Sequence, residues 1–249
     1  MEIKGLYKSL ENKEVLEEII IILLASIFLG FVLALEVTWP KIIINEFIFL
    51  EGAGIAFVML SVFVISQKIT AYYLDCKTKI KLISFRKYWF QSFDEKKAEL
   101  PFEFPAWLFL PLIFSLATNG LIKWLAILNF DIEPKATRMR KRWQELTEAD
   151  VGKIAIAGPI SVLLLGFIFR LVGLNEYALL CSWLAFLSLV PIGLGFKILN
   201  TARIAWVFSF VFTLFILLLM NVTTSFAGIV IALLIAAIIT ITYYSLYEK

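Results

Sequence analysis

Long uncharged apolar runs alternate with short charged stretches along this chain, and most runs are about as long as a membrane crossing. A helix rising 1.5 Å per residue needs roughly 20 apolar residues to traverse about 30 Å of hydrocarbon. A span at about 19–37 comes close to that requirement, its uncharged run Ile19 to Leu35 ending before Glu36, and 47–66 meets it, interrupted only by Glu51. So do 154–173, where Arg170 sits near the end and its stem can snorkel to the headgroups, and 177–196. No charge occurs between 204 and 247, a stretch too long for one crossing. Its polar cluster Asn221, Thr223, Thr224 and Ser225 divides it into 204–220 and 225–245.

The apolar run at 104–130 breaks the pattern, because it contains Pro105, Pro111, the Asn119-Gly120 pair and Lys123. Those are helix-breaking and turn signals. If this run crossed once, the two sides of the membrane would carry 12 and 10 Lys and Arg residues. If it returns to its starting side, one side carries 20 and the other only Lys41 and Arg170. The positive-inside rule favours the second arrangement. The expected fold is all-α and polytopic: six transmembrane helices plus a re-entrant helical hairpin, both termini cytoplasmic, in the cell membrane. Non-helical backbone at membrane depth must be covered by protein or line a wet cavity, so the hairpin should lie against the bundle.

Composition agrees. The chain is 61% hydrophobic with a mean hydropathy of +0.90, and 17% of its residues are charged. A soluble domain of 249 residues could not hide that much apolar surface. A single membrane domain at 19–247 is expected after a cytoplasmic segment at 1–18, with basic loops at 67–103 and 131–153. No small-residue cleavage site follows the first run, which reads as a retained span. Trp39, Tyr177, Tyr243 and Tyr244 fit interfacial anchors. Lys77, Lys79 and Lys81 alternate with Thr78, Ile80 and Leu82, predicting a short cytoplasmic strand whose lysines blunt an edge. The basic run at 138–142 before Trp143 reads as a headgroup anchor, and no nucleic-acid partner is expected. Cys76 and Cys181 are too few for a disulfide framework. The Asn221-Val222-Thr223 sequon abuts the membrane, so no glycan is expected there.

Four segments in order resemble the site-2 protease family of intramembrane zinc metalloproteases, especially its archaeal branch. Residues 61–82 are similar to the end of the family's zinc-binding helix running into a strand. Residues 109–124 are similar to a segment of some archaeal members. Leu146-Thr147-Glu148 followed by Ala157-Gly158-Pro159 resembles the family's Ala-Gly-Pro helix start. Ser188-Leu189-Val190-Pro191, leading through Gly193 and Gly195 to Lys197, is similar to its Asn-Leu-Leu-Pro and Leu-Asp-Gly segment.

The resemblance implies chemistry that the residues do not supply. The family's His-Glu-x-x-His places two imidazoles one helical turn apart with a general base between them. A gapless register puts Phe63, Val64 and Gln67 at those positions, and a shifted one puts Ser66, Gln67 and Thr70 there. Gly195 stands where the Asp ligand belongs, and Val162 where an Asn often follows Ala-Gly-Pro. The chain has no histidine at all. No catalytic residue, metal ligand or cofactor is therefore assigned. The expectation is a pseudoprotease whose partners are the lipid bilayer and transmembrane segments of client proteins. Asn119, Lys123, Gly158, Pro159, Pro191, Gly193 and Lys197 are its candidate cleft residues. Glu51, near the outer end of its span, is read as interfacial or capping. A transporter or channel built around Asn119 and Lys123 is one alternative. A protease completed by ligands from another chain is the other.

Overall fold

The computed structural model describes residues 2–38, 41–87, 99–135, 146–222 and 226–247. In chain order the elements are α1 (Glu2–Ala34), β1 (Leu35–Thr38), β2 (Lys41–Ile44), α2 (Glu46–Tyr73), β3 (Cys76–Leu82), β4 (Phe85–Lys87) and β5 (Glu99–Phe104). They continue with α3 (Ala106–Ala117), β6 (Leu128–Pro134), α4 (Glu148–Leu171), α5 (Asn175–Leu189), α6 (Leu194–Thr201), α7 (Arg203–Val222) and α8 (Phe226–Tyr247). Among the described residues four helices are long and apolar enough to cross a membrane: α1 from Glu14, α2, α4 and α8. A fifth crossing results if α5 and α6, bent by 57° at their junction, count as one. This is the architecture of a mainly helical, multi-pass membrane-embedded protein. Trp39, residues 94–98, the basic run at 138–142, Trp143 and the cluster at 223–225 lie outside the described residues.

The chain divides into two compact units, Met1–Phe57 with Ile80–Phe130, and Val58–Lys79 with Asp131–Lys249. In the first, α1 and α2 approach so closely that a methyl group added to Gly30 would lie 2.7 Å from Ala53. Small residues permit that approach where lipid offers no hydrophobic drive for helix association. The antiparallel hairpin β1–β2 pairs Leu35 with Ile44 and Thr38 with Lys41, so α1 ends before residue 37. A second antiparallel pair joins β4 and β5.

The segment expected as a helical hairpin is helical on one arm only. The 12-residue α3 is about 18 Å long, too short to cross. Asn119 and Gly120 then adopt left-handed backbone (φ 53° and 78°), which Asn and Gly tolerate best. The Gly120 N–H closes the helix end on Ser115 O at 2.7 Å. The chain returns without regular secondary structure up to β6, burying Trp124 to Leu128. Ile83 receives both ends of the excursion: its N–H donates to Ile127 O and its carbonyl accepts from the Trp107 N–H, each at 2.9 Å. Residues 121–127 are adequate helix formers, but pairing with residue 83 overrides that weak preference.

The second unit is a helical bundle in which α4 packs on α5, α5 on α7 and α7 on α8. Leu163, Ala185, Ile216 and Ala232 form its core, with Phe167, Phe212 and Phe215 packed around them. Thr147 caps α4, its hydroxyl accepting the Asp150 N–H at 3.3 Å, and Glu148 and Asp150 complement the helix dipole. Helix α4 ends where left-handed Gly173 (φ 89°) and Leu174 donate back to Arg170 and Phe169. Ala157-Gly158-Pro159 is therefore no helix start, as the resemblance implied, but lies mid-helix. The cap at Thr147 nucleates the helix ten residues earlier, and Pro159 is accommodated inside it. The lysine-rich strand is observed as β3, which pairs with β6. Cys76, Thr78 and Ile80 are buried on one face while the intervening lysines are more exposed, and Lys79 pairs with Glu133 at 3.2 Å.

Candidate functional site

Phe63, Val64, Gln67 and Gly195, the residues singled out by the resemblance, are packed into the second unit. Leu60, Phe63, Val64, Gln67 and Ala71 form one buried stripe of α2, spaced three and four residues apart. The Phe63 ring lies flat against Gly158 of α4, so near that a Cβ there would meet ring carbons at 2.8–2.9 Å. Three residues on, Ser66 donates to Phe63 O at 2.8 Å and lies 3.1 Å from Ala157 O and 2.8 Å from Ser161 Oγ. Ser161 in turn donates to Gly158 O at 2.7 Å. Helices α2 and α4 are thus joined at the Ala157-Gly158-Pro159 segment by an aromatic ring in a glycine notch and a pair of hydroxyls. Gln67 Nε2 is buried without a hydrogen-bond partner, a costly arrangement that an inert packing residue would avoid. Among the described residues no three Cys, Asp or Glu side chains converge as a metal-ligand set would.

Gly195 is also buried, for a local reason. Helix α5 ends at Leu189, and the Ile192 N–H donates to Val190 O at 2.6 Å, closing a three-residue turn around Pro191. Gly193 (φ 64°) then takes a left-handed conformation that opens α6. A Cβ on Gly195 would sit 2.0 Å from Val190 O and 2.5 Å from Leu189 O. The break does not leave its carbonyls open, since Trp206 Nε1 donates to Leu189 O at 2.7 Å. Lys197 forms an ion pair with Asp131 at 3.2 Å. Phe63, Val64, Gln67 and Gly195 are all interior to one unit, in which α4 touches α2 through Gly158 and also packs on α6.

Asn119 and Lys123 belong to the first unit and serve local structure there. Asn119 makes the turn that ends α3, and Lys123 Nζ donates to Leu33 O in the last turn of α1. A cation at a helix carboxyl end satisfies an orphan carbonyl and the negative end of the dipole. Glu51 is exposed in the second turn of α2.

Beside the Phe63–Gly158 contact the second unit has an open groove of about 1070 Å³. Its apolar walls are Ile69 of α2, Ile156, Ile160 and Leu164 of α4, and Ile204 of α7. Ser66, Thr70 and Ser161 add hydroxyls, and Glu148, Lys153, Asn200 and Arg203 gather at one end. Of the candidate cleft residues, Gly158 and Pro159 flank this groove, with Ala157 and Ser161 on its lining, and Lys197 precedes Asn200 on the same short helix. Asn119 and Lys123 do not line it. The readable signal was the recurrence of small and hydroxyl residues one turn apart, Ser66 with Thr70 and Ala157 with Ser161, on otherwise large apolar helices. No family model, curated protein or solved structure matches this chain.

Proposed function

We propose that this chain is a catalytically inactive, site-2 protease-like integral membrane protein that binds transmembrane segments of client proteins. The observation that carries the reading is the Phe63 ring lodged against Gly158 at a position where the resembled family holds a zinc ligand, next to an open groove along the same two helices. An aromatic ring there replaces water and metal with packing atoms. Beside it runs a groove lined by the small residues Ala157 and Ser161 as well as by large apolar side chains.

The proposed topology has six crossings, made by α1, α2, α4, the bent pair α5–α6, α7 and α8. The segment 104–130 re-enters, and both termini are cytoplasmic in the cell membrane. Two features support it besides the 20-to-2 distribution of basic residues. Both ends of the α3 excursion meet at Ile83. Residues of the carboxyl-terminal part of α2 and the first turns of α4 and α7 also line one groove, as expected if the chain between α2 and α4 makes no net crossing.

The test is site-specific photocrosslinking in native membranes from Ile160, a groove residue that is 46% exposed. A discrete protein adduct whose crosslinked peptide maps to a transmembrane segment supports the reading. Adducts to lipid alone would overturn it, as would stoichiometric tightly held zinc with zinc-dependent cleavage in the purified protein.

A further inference from the structure

The chemistry of the groove limits what its occupant can be. Every hydroxyl along it already donates to the protein's own backbone. Ser66 donates to Phe63 O, Thr70 to Ser66 O at 2.9 Å, Ser161 to Gly158 O, and Thr201 to Lys197 O at 2.8 Å. The inner part therefore has no spare donor for a sugar, nucleotide or amino-acid ligand, and its isoleucines and Leu164 present only hydrocarbon. Charge is confined to one end. There Lys153 is 65% exposed and lies 3.7 Å from Asp150, Arg203 is exposed in the first turn of α7, and Glu148 is the acid on the described lining.

Dimensions choose between a chain-like and a helical occupant. From Glu148 to Leu164 the groove follows α4 for about 24 Å, at 1.5 Å per residue. A groove that stays open along several turns of one helix is the shape against which a second helix can be laid lengthwise. Ala149, Ala157 and Ser161 along the α4 side are small enough to let a second backbone come close.

Resting on the client-binding reading above, we infer that the client is a transmembrane helix whose cytoplasmic boundary carries acidic side chains, placed against Lys153 and Arg203. An acid there meets two cations and one carboxylate at headgroup level, a net attraction for an anion. A Lys-flanked segment, the commoner kind on the cytoplasmic side, is repelled by the same pair.

The test uses the purified full chain in phosphatidylcholine vesicles, with a photocrosslinker at Ile160. Three 25-residue polyleucine-alanine peptides differ only in a pair of Asp, Asn or Lys residues at one boundary. The Asp peptide is expected to crosslink about tenfold more than the Lys peptide. The double variant Lys153→Glu, Arg203→Glu should reverse that order, and Lys153→Gln, Arg203→Gln should level it. Both changes are on exposed side chains, and the Asn peptide reports whether each variant still binds. Equal crosslinking of all three peptides overturns the charge preference and leaves client binding intact. No peptide adduct from any variant, with phospholipid adducts throughout, overturns both and identifies a lipid as the occupant.

Discussion

Substituting Gly158 by Ala tests the contact on which the pseudoprotease reading depends. The new methyl would stand 2.8 Å from Cε2 and Cζ of Phe63 and 2.9 Å from Cε1. Carbon atoms prefer about 3.5–4.0 Å, so the ring or the helix must retreat by roughly an ångström. Such overpacking costs about 1–3 kcal/mol, while Ala in place of Gly inside a helix returns about 0.5–1 kcal/mol. The net loss is about 1–2 kcal/mol, or a fall in Tm of about 2–8 °C for a chain of this size. Phe63→Ala alone leaves a cavity in the buried stripe and costs about 3–5 kcal/mol. Together the two should be less harmful than their sum, because the methyl at 158 enters space the ring has left. The coupling should be about 1–3 kcal/mol in the compensating direction. Unfolding of the four proteins in one mild detergent, followed by tryptophan fluorescence, measures the cycle. Strict additivity would show that residue 63 does not lie on residue 158, and the inferred replacement of a metal site by packing would fall with it.

Gly195→Ala should be far more severe, because the obstructing atoms are the carbonyls of Val190 and Leu189 and no side chain can yield. A loss of about 4 kcal/mol or more is expected, read as absence of monodisperse protein after extraction. Lys123→Met removes the cation from the carboxyl end of α1 and should cost about 1 kcal/mol, with Lys123→Arg recovering part of it in thermal unfolding. Trp206→Phe leaves Leu189 O without its indole donor and should cost about 1–2 kcal/mol, whereas substitution of exposed Tyr244 should not change Tm. A membrane-impermeant maleimide applied to intact cells should label cysteines placed at Lys41 and Arg170 but not at Lys4 or Lys197. Labelling at Lys4 would overturn the proposed topology.

The hydrophobic pattern alone located the apolar helices, because a bilayer demands long uncharged runs and each α-helix satisfies its own backbone within the segment. It also supplied the lysine-alternating strand, since period-2 burial is a local property. The ends were less legible. Helix α1 stops before residue 37 because β1 pairs with β2, and α4 starts at Glu148 because Thr147 caps it. The return arm after Asn119 is irregular and not helical because Ile83, far away in sequence, pairs with it at Ile127.

At the candidate site, the sequence by itself determined what is missing: with no histidine anywhere, the imidazole ligands of the resembled family cannot be assembled, whatever the fold. Only the tertiary structure decided what surrounds Phe63, Val64, Gln67 and Gly195. Which ring fills the notch at Gly158, which hydroxyls are already engaged, and that Lys153 and Arg203 reach the same end of one groove all depend on helices brought together across long stretches of chain. Helical spacing says which residues share a face. It does not say which face meets another, because that depends on shape fit between helices in a solvent as apolar as they are.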